Sequence, residues 1–210
     1  MTEDLLDRVL AHQPPAFALL HRPETTGPGA MDILIGEVST PDTVAGIPLT
    51  DVHTGGPRSE VLAIVPYRQI IERGFACPDD GEPLIAMTIT DQGVLPVAEA
   101  LRRLPDAPIE LADGHFDVDD AAYADTVRRV VADEIGEGEG ANFVIKRAYV
   151  ADIKGYALQS TLTFFRRLLE RESGAYWTYL FHTGTRTFVG ATPERHVSLH
   201  GGTAVMNPIS

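Results

Sequence analysis

A carboxylate just past a proline turn is the most suggestive chemical group in this sequence. In Gly190-Ala-Thr-Pro-Glu194, the proline restrains the backbone before the acid, and the glycine admits a close backbone approach. Glu194 could therefore act as a positioned general acid. Taken alone, the spacing fits an exposed turn glutamate better. His196 and His200 suggest a metal, but residues four apart in a strand lie about 13 Å from each other, too far to share one ion. They read as surface residues of a hairpin, and His182 has no obvious partner. Cys77 is the only cysteine, so no intrachain disulfide can form, and it reads as a structural thiol.

Two of the basic pairs and a glycine-rich stretch are the other candidates. Arg166 and Arg167 flank an apolar helix face and read as solvated. Lys146 and Arg147 alternate along a predicted strand, so either could turn inward to meet a carboxylate. Gly136-Glu-Gly-Glu-Gly-Ala141 imitates a dinucleotide-binding pattern. It follows a helix and precedes a strand, the reverse of the required order, and its two glutamates would repel a pyrophosphate. It reads as a turn.

These groups need elements to hold them. A short amphipathic helix is expected over Asp4 to Ala11, stopped by Pro14-Pro15, with strands at Ala16 to His21 and Asp32 to Val38. The stretch from Thr40 to Ser59 is rich in Pro, Gly, Thr and Asp and reads as a surface loop. Strands follow at Val61 to Pro66 and Leu84 to Thr90, then a helix over Val94 to Leu104. Asp117 to Asp120 places acids at the start of a longer helix, whose Tyr123, Val127, Val130, Val131 and Ile135 recur at helical spacing. Beyond it, a strand is expected over Asn142 to Val150 and a helix over Thr161 to Leu169. Four strands come last: Tyr176 to Phe181, Thr187 to Ala191, His196 to Leu199 and Thr203 to Met206. Gly201-Gly202 makes the final hairpin turn. The pattern is α+β rather than strict strand–helix alternation.

Bulk composition narrows the function. The 210 residues carry 30 acidic against 17 basic side chains, a formal charge of −13, which disfavours a broad nucleic-acid surface. A small anionic ligand is still compatible, because a few basic groups or a helix N-terminus can hold a carboxylate. No basic, apolar leader or membrane-length apolar run is present, so no membrane association and a cytoplasmic location are expected. The last strand, just before Asn207-Pro-Ile-Ser210, is expected to have a partner still to come, so the sequence reads as truncated.

Several segments together resemble one family. Gly190-Ala-Thr-Pro-Glu-Arg-His-Val197 is similar to the G-[AS]-[ST]-P-E segment of the chorismate-utilising enzymes, which include anthranilate synthase component I and the isochorismate and salicylate synthases. Asn207-Pro-Ile-Ser210 resembles the start of their P-I-x-G-T segment. The runs Phe17–Pro23, Val65–Phe75, Asp119–Tyr123, Gly138–Arg147 and Gly174–Thr178 resemble the aminating, phenazine-type branch. The resemblance covers essentially the whole chain.

It implies that residues 1–210 form the N-terminal part of the two-sheet α/β sandwich of the anthranilate synthase component I fold. The implied substrate is chorismate, bound with Mg²⁺, and the implied nucleophile is ammonia from a glutamine amidotransferase domain or subunit. Glu194 takes the place of the general acid that helps the 4-hydroxyl leave. Asn142 stands where hydrating members carry a lysine that activates water. A carboxamide cannot act as a base at neutral pH, whereas ammonia brings its own lone pair, so Asn142 favours amination.

Gly190, Ala191, Thr192, Pro208, Ile209 and Ser210 fall in segments implied to bind substrate. The Mg²⁺ ligands are expected beyond residue 210, so this stretch alone is expected to hold no metal and to be inactive. A homodimer is implied for the full-length protein. The regulated members' L-L-E-S segment reads Leu19-Leu-His-Arg22 here, which argues against tryptophan inhibition. Two products remain open: 2-amino-2-deoxyisochorismate, or anthranilate with pyruvate eliminated.

Overall fold

The computed structural model describes residues 4–49 and 60–207. In chain order the first elements are helix α1 (Leu5–Leu10), strands β1 (Ala16–His21), β2 (Ala30–Ser39), β3 (Val61–Ile64) and β4 (Ile85–Pro96), and helix α2 (Val97–Arg103). Next come β5 (Leu111–Phe116), α3 (Asp120–Arg129), β6 (Tyr149–Ile153) and α4 (Leu158–Arg171). Four strands follow: β7 (Trp177–His182), β8 (Thr187–Thr192), β9 (Arg195–His200) and β10 (Thr203–Asn207). The chain divides into two compact units, one from Met1–Asp106 with Thr161–Ser210, the other from Ala107–Ser160.

The first unit is built on a six-stranded antiparallel sheet in the order β3-β4-β2-β1-β7-β8. Its central strands are apolar on both faces, because both faces are buried. Ala18, Leu20, Leu34, Ile85, Met87 and Phe181 form one cluster, with Tyr179 and Phe188 packed against it. Strand alternation sends Phe17, Leu19, Ile33, Ile35 and Leu180 to the other face. Helices α1 and α2 pack on β2 and β4, and burying Leu6, Val9 and Ala100 there is worth about 1.5–3 kcal/mol for each large side chain. Asp4 caps α1 by accepting from the Leu6 N–H at 2.9 Å, and Arg103 of α2 bridges to Asp4 and Asp7 at 2.6 Å each.

The sheet is interrupted once. Ile35 pairs with Asp91 and Gly36 with Ile89, so Thr90 of β4 is an extra residue, a bulge. Its hydroxyl donates to the Ile35 carbonyl at 3.3 Å. Strands β9 and β10 form a separate hairpin turning at Gly201-Gly202.

The second unit pairs β5 with β6 beside α3. Asp119 caps α3, accepting from the Ala122 N–H at 2.8 Å. After Arg129 the helix widens into a π-helical turn over Val130–Ile135. Arg147 lies over the Phe116 ring at 3.8 Å and bonds Asp120 at 2.6 Å.

The mixed α+β expectation holds, with most strands within two residues of their expected bounds. Three local expectations fail. Asn142 to Ala148 is not a strand; pairing begins only at Tyr149. The backbone of that stretch bonds elsewhere: Tyr123 Oη donates to the Ile145 carbonyl at 2.9 Å, and the Ala148 N–H donates to the Asp117 carboxylate. β4 runs on to Pro96, paired to Ala30, so the helix starts at Val97 rather than Val94. Strand β5 was not expected at all. Part of the expected Thr40 to Ser59 loop, residues 50–59, lies outside the described residues.

Candidate functional site

Glu194 sits in the tight connection between β8 and β9. Its N–H donates to Thr192 Oγ1 at 3.3 Å, and that hydroxyl donates to the Glu194 carbonyl at 3.0 Å. The turn is thus closed on both sides of Pro193, and the Glu194 side chain is exposed. Upstream, Tyr176 N–H donates to the Thr192 carbonyl at 2.7 Å, and Ala191 and Thr192 pair with Thr178 and Trp177 of β7. The sequence therefore presents a carboxyl group on a strand end held by backbone and side-chain bonds together.

Gly190 does admit a close approach, and the approaching group is the ring of Tyr179, its partner across β7. A Cβ at position 190 would lie 2.8 Å from Tyr179 Oη and 3.0 Å from Cζ. Tyr179 also lines an apolar hollow of about 270 Å³ with Leu20, Leu62, Trp177, Phe181 and Phe188. Trp177 Nε1, buried beside it, has no hydrogen-bond partner among the described residues.

A second hollow, of about 460 Å³, adjoins the turn and is lined by His21, Glu24, Glu172, Tyr176, Pro193 and Arg195. Arg195 is largely buried, pairs with Glu24 at 3.7 Å and lies over the Tyr176 ring at 5.3 Å. Its Nε has no hydrogen-bond partner among the described residues. Sequence reasoning missed Arg195, whose only signal is its place next to Glu194. Nothing in the sequence pointed to Glu24.

Asn142 belongs to the other unit. It lines a hollow of about 220 Å³ with Tyr123, Val127, Val130, Val131 and Ile135, most of them from the π-helical turn and the end of α3. Glu194 and Asn142 thus fall in different units. Pro208, Ile209 and Ser210 lie outside the described residues.

The remaining candidates resolve simply. His196 and His200 are exposed along β9, as expected of a hairpin surface. His182 does have a partner, with Nδ1 2.8 Å from Thr187 Oγ1. Burial lowers its pKa from the ordinary 6.5. Arg166 is not simply solvated, for it donates to the Leu104 carbonyl at 3.0 Å and pairs with Glu170. Cys77 is half-buried, its thiol 3.8 Å from the Arg68 carbonyl. Lys146 is exposed, and of the basic pair it is Arg147 that meets a carboxylate, on Asp120.

Among the described residues no group of three or more His, Cys, Asp or Glu could hold a metal ion. The turn offers one carboxylate beside an arginine, which does not fit the oxygen-rich octahedral shell of Mg²⁺. No helix among the described residues is long and apolar enough to cross a membrane.

Comparison with known proteins places these features in context. Residues 82–210 match the chorismate binding enzyme family. The chain is 56% identical over 206 residues to a protein of Pseudomonas chlororaphis named anthranilate synthase, phenazine specific, an alignment covering 98% of this chain and 32% of that protein. It is 55% identical, with the same coverage, to the protein of that name from Pseudomonas fluorescens. The chain spans about a third of the length of the curated relatives it matches.

Proposed function

This chain belongs to the chorismate-binding enzymes, and from that membership we propose that it contributes the acid side of an aminating chorismate enzyme. The reaction joins chorismate and ammonia to give 2-amino-2-deoxyisochorismate and water. The carbon–oxygen bond to the 4-hydroxyl breaks, a carbon–nitrogen bond forms at C2, and the ring double bonds shift between them. The observation that carries this reading is the clamped Thr192–Glu194 turn, in a chain 55–56% identical to phenazine-specific relatives.

Glu194 would give its proton to the departing hydroxyl, which leaves as water. Its exposed side chain on a closed turn suits a group that must reach a ligand without moving its own backbone. Gly190, Ala191 and Thr192 would form the strand wall beside it, and Pro208, Ile209 and Ser210 would add to the substrate contacts. Asn142 would orient ammonia, since its amide can both accept and donate a hydrogen bond without abstracting a proton.

The described residues supply no Mg²⁺ donor set, so an ion accompanying chorismate would be held by residues outside them. Ammonia would come from a glutamine amidotransferase domain or subunit, in a cytoplasmic, homodimeric protein. On this reading the 210 residues alone turn over no chorismate.

The test is product analysis with the complete gene product, chorismate, Mg²⁺ and ammonium. 2-Amino-2-deoxyisochorismate without pyruvate is the expected result, and Glu194→Gln should lower turnover by about 100-fold or more. A second reading, favoured by the name the relatives carry, continues to anthranilate by eliminating pyruvate. Anthranilate and pyruvate as the sole products would establish it instead.

A further inference from the structure

We propose that Arg195 is a positioning residue, whose clamp between Tyr176 and Glu24 fixes the direction in which Glu194 leaves the β8–β9 turn. The proposal rests on the reading of Glu194 as the acid. Arg195 opens β9, directly after Glu194 in the turn, so the two share a peptide unit that moves as one plane. Whatever holds Arg195 therefore restrains that plane, and with it the direction in which the Glu194 side chain leaves the backbone.

The clamp is a closed circuit. The Arg195 guanidinium covers the Tyr176 ring, with its carbon 5.3 Å from the centroid. Tyr176 is tied by its N–H to the Thr192 carbonyl at 2.7 Å, and its ring stacks on Trp177 at 6.0 Å. Thr192 in turn holds the backbone of Glu194. The other anchor is Glu24, in the turn after β1, where the N–H groups of Thr25 and Thr26 bond the Arg22 carbonyl at 2.9 Å. Arg22 is itself fixed by buried Asp32 at 2.9 Å. One planar cation thus ties the acid's turn to the sheet's central hairpin.

The ion pair alone does not account for this arrangement. Glu24 is mostly exposed and 3.7 Å away, and such pairs contribute little. The buried Nε of Arg195 has no partner among the described residues. A planar guanidinium can lie on a ring and meet a carboxylate at once; a lysine ammonium on a flexible stem cannot hold both.

The experiment is a double-mutant cycle in the complete gene product, reading kcat and KM for chorismate. Arg195→Lys should lower kcat about tenfold, as expected of a small misplacement of a reacting group, with KM held within about twofold. Glu24→Gln, an exposed change that spares the fold, should lower kcat in the same direction. In a Glu194→Gln background Arg195→Lys should cost less than about twofold more, because the group it aims is gone. Equal losses in both backgrounds, a change confined to KM, or full activity in Arg195→Lys would each overturn the proposal. Full turnover in Glu194→Gln alone would remove the acid assignment itself, and the proposal with it. The identity of the product does not bear on either outcome, since both products require the hydroxyl to leave.

Discussion

Gly190 is a glycine for the sake of its neighbour. The Tyr179 ring occupies the space a side chain would take, so Gly190→Val should destabilise the protein by about 1–3 kcal/mol through overpacking. Urea unfolding measures this, and a second change, Tyr179→Ala, should recover part of the loss by opening that space. His182 sets a pH dependence of its own. Burial lowers its folded pKa below the ordinary 6.5, so the fold favours the neutral ring. Its contribution is complete above that value and declines as the pH falls below it toward the folded pKa, since the unfolded chain takes up the proton first. Urea midpoints measured between pH 8 and pH 5 should therefore fall on the acid side, with a shallower fall in His182→Gln. The Gly-Ala-Thr-Pro-Glu run disclosed the turn that carries Glu194. The tyrosine opposite its glycine and the threonine beside His182 were hidden, because each depends on the register of β7 against β8, which residue types alone do not specify.

At the scale of elements, the bulge in β4 governs how β2 and β4 meet. Gly36 sits beside it with no room for a side chain: a Cβ there would fall 2.2 Å from the Thr88 carbonyl oxygen. That obstacle is backbone and cannot swing aside, so Gly36→Ala should cost about 3 kcal/mol or more by forcing the strands apart, seen as a lowered melting temperature. The strands with continuous apolar or aromatic content were legible almost to the residue, as β1 and β7 illustrate. Asn142 to Ala148 was misread because Phe143-Val-Ile145 is an aromatic and β-branched run of the kind strands favour, while the backbone bonds to the side chains of Tyr123 and Asp117 instead. β5 escaped notice for the opposite reason. Its Leu-Ala-Asp-Gly-His-Phe has little strand propensity, and it owes its conformation to pairing with β6 and to Asp113 in a left-handed conformation at φ 53°.

The two units differ in how much they bury. Every fully buried residue belongs to the first, and none of residues 107–160 is buried. Local stability follows buried apolar contact, so limited proteolysis should cut within 107–160 first, and amide exchange should be faster there than in β1, β2 and β7. Mass spectrometry of early fragments checks this, and a first cut within β1 or β7 would contradict it. The placing of that unit in the chain also bears on synthesis. β1 pairs with β2 and with β7, and all of 107–160 is translated between them. At about 5–20 residues per second, the free edge of β1 waits on the order of ten seconds for its second neighbour. Through that interval the nascent chain displays one edge of Phe17–His21 unpaired, the kind of open strand edge that recruits other chains.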